Sequence, residues 1–133
     1  MMSAPLILAC DTRNNDVHDI ITNRELIALH QDDIMLQAKR VSIKGGIDIL
    51  VKPLAHGEAA VCFFNKAGRK NKSARIDLST LNELDNRVAL PATDHYLVKN
   101  LWDAQPQFVE TGRALHSGKL PRDDVAAFRV KAT

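Results

Sequence analysis

The sequence predicts a mainly β chain, an antiparallel β-sandwich of the Greek-key type preceded by one strand and one helix of a different architecture. Three observations predict it. From residue 47 to the C-terminus, short apolar segments recur between turn residues at the spacing of about 8–12 residues that suits a sandwich. The first quarter instead carries an unbroken apolar run followed by helical periodicity. Nothing downstream repeats that strand-then-helix pattern, so a complete alternating α/β fold is excluded.

The apolar run is Leu6, Ile7, Leu8 and Ala9, between Pro5 and Cys10. It lacks polar alternation and suits a strand buried on both faces, as in a parallel sheet. It ends in Asp11, Thr12, Arg13, Asn14, Asn15 and Asp16, several of which can cap the helix suggested by Val17, Ile20 and Ile21. Asn23 is a second cap, opening a helix with Leu26, Ile27 and Leu29 on one side. Strand, polar turn and amphipathic helix make half of a βαβ unit whose parallel neighbours are missing. The chain therefore reads as the tail of something larger.

The remainder reads as strands and turns. Ile47, Ile49 and Val51 alternate before Pro53, and a loop at Ala55 to Glu58, with Gly57 free to take a positive φ, returns the chain into Ala60 to Asn65 as a hairpin. Gly45–Gly46 signals a turn and not a phosphate loop, since no helix start follows it. A basic turn runs from Lys66 to Lys72, and a strand is expected at Ala74 to Leu78. Leu81 and Leu84 at helical spacing predict one helical turn within Ser79 to Asn86, with Ser79 as its cap. Further strands are predicted at Tyr96 to Trp102, Gln107 to Glu110, Gly112 to His116 and Val125 to Val130.

Taken in order, SAPLILACDTRN (3–14), IITNRELIALHQDD (20–33), KRV (39–41), DILVKPL (48–54), EAAVCFFNK (58–66), VKNLWD (98–103) and VAAFRV (125–130) cover nearly the whole chain. This order resembles the C-terminal third of the retaining α-galactosidases and α-N-acetylgalactosaminidases, glycoside hydrolase family twenty-seven. The chain departs from the family's wording at His30, commonly Asn, at Asp33, commonly Pro, and at Arg122, Asp123 and Asp124, near an expected His-Gly. The resemblance implies that residues 1–38 are the remnant of the end of a catalytic (β/α)8 barrel and that residues 39–133 are the C-terminal antiparallel β-sandwich. It also implies that both catalytic aspartates and the sugar-binding residues lie upstream, so no catalytic, substrate-binding, cofactor-binding or metal-binding residue is assigned to this chain.

The chemistry agrees with that assignment. A complete barrel needs roughly 250 residues, and this chain has 133. Retaining glycoside hydrolysis needs two carboxyl groups about 5–5.5 Å apart, one with a raised pKa. Asp11 is the only acid at the end of a predicted buried strand, and with Arg13 in the same turn it suits a structural ion pair better than catalysis. Asp32 and Asp33 follow a helix and read as a solvated turn or helix boundary. His18, His30, His56, His95 and His116 are scattered without the short spacings of zinc ligands. There is no GxSxG elbow, and Cys10 and Cys62 lie in apolar segments, where free cysteine acts as a small hydrophobe.

The net charge of +2 points to neither nucleic acid nor an anionic membrane, and the basic turn lacks interleaved aromatics. No apolar stretch is long enough to span a bilayer and no charged region precedes the apolar N-terminal run, so a cytoplasmic location is expected. The implied partner is the barrel of the parent enzyme, or a second copy through residues 1–38, because an unpaired apolar strand invites edge association. The alternative is a stand-alone carbohydrate-binding or protein-interaction module with weak saccharide binding. Trp102, Tyr96, Phe63, Phe64 and Phe108 are its available rings; aromatics are only 5% of the chain, and Trp102 suits core or interdomain packing better.

Overall fold

The computed structural model describes residue 13, residues 18–66, residues 71–103 and residues 105–133. The expected strand at 5–10, with Cys10, and Asp11 lie outside the described residues, as does most of the basic turn. In order, the elements are α1 (His18–Ile21), α2 (Arg24–His30), β1 (Lys39–Lys44), β2 (Ile47–Leu54), β3 (Glu58–Asn65), β4 (Arg75–Asp77), α3 (Leu81–Leu84), β5 (Tyr96–Asn100), β6 (Phe108–Thr111), β7 (Ala114–His116) and β8 (Val125–Ala132).

Two sheets form the sandwich. The larger has six antiparallel strands in the order β1-β2-β3-β8-β5-β6, and the smaller pairs β4 with β7. The last strand is thus inserted between β3 and β5, so the middle of the sheet closes only when the C-terminus arrives. The hairpin β2–β3 is regular from Ile47↔Asn65 to Leu54↔Glu58. Its turn uses two left-handed residues, His56 at φ 63° and Gly57 at φ 70°, and a Cβ on Gly57 would lie 3.3 Å from the Ala89 carbonyl. Glycine is required there both by φ and by space.

Because side chains alternate along a strand, each face of the large sheet is set by residue parity. Ile47, Ile49 and Val51 of β2, Ala59, Val61 and Phe63 of β3, Tyr96 and Val98 of β5, and Ala126 and Val130 of β8 all point inward. They meet Ile76 of β4, Leu115 of β7, and Leu78, Leu81, Val88 and Leu90 from the segment after β4. Tyr96 is fully buried, and its hydroxyl accepts from Thr93 N at 3.0 Å and donates to Pro91 O at 3.2 Å, which resolves its polar tip. Asn65, also fully buried, ends β3 by donating from its amide to Leu120 O and Pro121 O, holding the loop before β8.

The strands predicted from residue 47 onward are present with adjusted ends. The helical turn at Leu81–Leu84 is present, but Ser79 does not cap it: the residue before it is Thr80, which makes no side-chain cap bond, and a 3-10 turn at Leu78–Thr80 leads into it. Asp77 starts that 3-10 turn, accepting from Ser79 N at 2.9 Å and Ser79 Oγ at 2.6 Å. β1 was not among the predicted strands, and it forms the outer edge of the large sheet.

Candidate functional site

The outward face of the large sheet carries a helical strap. Leu29 of α2, with Leu26 beside it, packs on Leu54, Ala60, Leu101 and Ala127 in a second apolar cluster separate from the sandwich core. Asn23 builds the strap from both sides. Its side-chain oxygen accepts from Glu25 N and Leu26 N at 3.0 and 3.1 Å, and its amide donates to Leu101 O at 2.9 Å. Glu25 adds a half-buried ion pair with Lys99 at 3.2 Å. Residues 23–30 are thus docked on the sandwich. Replacing Asn23 with Ala removes the helix cap and the tie to Leu101 together, so it is expected to cost about 1–2 kcal/mol. Urea unfolding followed by the single tryptophan, Trp102, next to Leu101, would measure it; an unchanged midpoint would show that the strap is held by its apolar contacts alone.

Asp32 does more than make a solvated turn. Its carboxylate accepts from Ile34 N at 3.2 Å and, across the fold, from Ala55 N at 3.0 Å. Beside it, Lys52 is fully buried and donates from Nζ to Leu36 O at 2.8 Å. Burial lowers the Lys52 pKa, while the nearby Asp32 charge opposes the shift. Asp32 and Lys52 thus fasten residues 32–36 to β2. Ile34 and Met35 on this segment are 41% and 70% exposed, and Met35 sits at φ 56°.

Among the described residues Asp77 and Asp85 have a lowered pKa, first through side-chain hydrogen bonds from Ser79 and Arg87 respectively. A general acid needs the opposite shift. Among the described residues no group of His, Cys, Asp and Glu could hold a metal ion, and no helix is long and apolar enough to cross a membrane. Cys62 is buried on β3, and burial raises its thiol to about 11, which leaves it unreactive.

The aromatic candidates separate by burial. Tyr96 and Phe63 have no exposed surface. Phe108 carries the ammonium groups of Lys99 and Lys131 at 4.7 and 4.2 Å from its ring centre. Trp102 is 41% exposed, at the end of the segment that receives Asn23. A 330 Å³ cavity opens between the β5–β6 end of the large sheet and β7, with Val98, Val109 and Phe128 in its wall and Asn100, Asp103 and His116 among its polar groups.

These features define a two-layer antiparallel β-sandwich domain strapped on one face by a short helix. A family model described as the alpha galactosidase C-terminal beta sandwich domain matches residues 44–130, and the chain belongs to that family. The α-galactosidase of Oryza sativa subsp. japonica is 32% identical over 126 residues, covering 92% of this chain and 28% of that protein. Alpha-galactosidase A of Cellvibrio japonicus is 40% identical over 68 residues, 50% of this chain and 17% of that one. The structure of α-galactosidase I from Mortierella vinacea superposes with a TM-score of 0.79 at 23% identity, covering 98% of this chain and 32% of that chain. A β-L-arabinopyranosidase from Geobacillus stearothermophilus superposes at 0.71 with 18% identity over 91% of this chain and 25% of its own. At those identities the two structures establish the fold. The chain spans from 17% of the Cellvibrio protein to 32% of the Mortierella structure, well under half of each.

Proposed function

We propose that this chain is the C-terminal part of an α-galactosidase-like glycoside hydrolase and is itself a structural, non-catalytic domain. In this reading residues 1–38 go with the end of the catalytic barrel and residues 39–133 form the sandwich that supports it. The parent enzyme hydrolyses terminal α-galactosides with retention. The observation that carries the reading is the strap. The outward face of the sheet is apolar under Leu26 and Leu29, and α2 and residues 32–36 are fixed to it by Asn23, Asp32 and Lys52. In this reading that arrangement holds the end of the upstream domain in a fixed position.

The test is hydrolysis of a chromogenic α-galactoside. The chain alone is expected to give none above buffer, and activity is expected when it is mixed with a separately produced barrel from the same family. Hydrolysis by the chain alone would overturn the structural role. The competing module reading draws on the cavity beside Phe128 and on the exposure of Trp102. It predicts saccharide binding by the chain in the absence of any barrel.

A further inference from the structure

We propose that the cleft between β1 and the β4–β7 sheet is a binding site for a small ligand bearing an oxyanion: a carboxylate, sulfate or phosphate on a hydroxylated carbon skeleton. The inference stands apart from the hydrolase reading and does not depend on it. Its starting point is an inconsistency in β1. The segment Arg40-Val41-Ser42-Ile43-Lys44 alternates so that Val41 and Ile43 should share the buried face. A break in register between Arg40 and Ser42 changes the outcome. After the break Ser42 lies opposite Ile49 and Lys44 opposite Ile47. Ile47 and Ile49 are fully buried and face the core, and paired residues share a face. Ser42 and Lys44 therefore project to the inner side of the sandwich, and Ile43 is left 57% exposed on the outer side. The bulge keeps Val41 against the core, turns Ile43 out and leaves Ser42 and the exposed Lys44 at the inner edge of the sheet, and bulges commonly re-aim side chains in this way near functional positions.

A cavity of about 500 Å³ at this edge is lined by Ser42 and Lys44 of β1, by Arg75 and Asp77 on the face of β4 away from the buried Ile76, and by Arg113 before β7. That volume lies within the range of small-molecule sites. The charge in it is uneven. Asp77 accepts from Ser79 and from Arg113, at 3.2 Å, so the one carboxylate is committed to one guanidinium. The Lys44 ammonium and the Arg75 guanidinium make no side-chain ion pair or hydrogen bond among the described residues. Two cations thus line a concave site with no counter-charge from those residues, and Arg75 offers the planar fork that matches an oxyanion. Ile76 and Leu84 add apolar wall for the carbon skeleton. The cavity beside Phe128 instead has Asp103 and Glu110 in its wall.

The experiment is a low-salt titration of the full chain, followed residue by residue in two-dimensional amide NMR. The probes are galacturonate and inorganic sulfate, with galactose, in which a neutral hydroxymethyl group replaces the carboxylate, as the control. Saturable shifts are expected at Ser42, Lys44, Arg75 and Arg113, with a Kd on the order of 1 mM for galacturonate. Binding should weaken as salt screens the cations. Lys44→Gln and Arg75→Gln, both at exposed side chains and so expected to leave the remaining spectrum in place, should each raise Kd about fivefold or more. Sulfate binding as tightly as galacturonate would assign recognition to the oxyanion alone; tighter galacturonate would add the sugar skeleton. The proposal is overturned by no saturable shift below ~50 mM probe, by a Kd unchanged in both variants, or by galactose binding as well as galacturonate.

Discussion

Replacing Phe63 with Ala is expected to destabilise the sandwich by about 3–5 kcal/mol, the largest effect of any single substitution considered. Phe63 has no exposed surface and lies on β3, the strand that joins the β1–β2 half of the large sheet to β8. Its neighbours in register are Ile49 and Ala126, and its ring stands edge-on to Phe128 at 6.1 Å and 81°. Truncation leaves a cavity bounded by two paired strands, which cannot close without breaking their register. Phe63→Leu keeps most of the volume and should cost about 1–1.5 kcal/mol, so the pair of variants separates volume from ring geometry. Equilibrium urea unfolding gives both numbers. A loss below about 1 kcal/mol for the Ala variant would mean that the site relaxes freely and that the core is not packed as described. With a typical domain stability of about 5–15 kcal/mol, the Ala variant could leave little folded protein at physiological temperature. For a domain whose proposed role is to hold another domain in place, that is a loss of function without a change at any catalytic group.

The same residue shows what the sequence could and could not convey. Phe63 and Tyr96 are rings on alternating strands, and alternation says that half of such rings face the core, yet only pairing decides which half. β1 is sharper still. Its apolar alternation is present at Val41 and Ile43, but the break at Arg40/Ser42 is a property of how β1 meets β2, and it leaves Val41 on the core while turning Ile43 out. The β4–β7 pair joins Arg75 to His116 and is equally non-local. Local signals were readable in detail. Asn23 caps α2 as its position before Leu26 and Leu29 predicts, and Gly57 takes the positive φ its turn requires. What Asn23 does with its other end, the bond to Leu101 O across 78 residues, has no sequence signature. Asp32 is a similar case, a helix boundary locally and a tie to Ala55 in the fold. The cationic cleft is also assembled from three distant segments, and the Lys44, Arg75 and Arg113 that make it are individually ordinary surface residues in the sequence.

Asp85→Ala is expected to cost about 2 kcal/mol at neutral pH, with a penalty that shrinks in acid. Asp85 is buried, and its carboxylate accepts from Arg87 Nε at 2.9 Å, from Arg87 Nη2 at 2.7 Å and from Arg87 N at 3.1 Å. The ion pair closes the turn that carries Val88 and Leu90 into the core. The guanidinium is about one-third exposed, which screens the pair and keeps the cost below that of a fully buried one. Hydrogen bonds from the Arg87 side chain, opposed by burial and helped by the Arg87 N–H, hold the Asp85 carboxyl below its ordinary range. A carboxylate whose folded pKa is lowered binds fewer protons folded than unfolded between the two pKa values, so its contribution is complete above the unfolded value of about 4. It is lost as pH falls through the lowered folded value. The stability difference between the natural chain and the variant should therefore be constant from pH 7 down to about 5 and narrow below about 4. Asp85→Asn keeps an acceptor for the Arg87 N–H without the charge, and should fall between the two at neutral pH. A gap that stayed constant into strong acid would show that Asp85 acts through packing and backbone hydrogen bonding alone, and the ion pair would then carry none of the turn's stability.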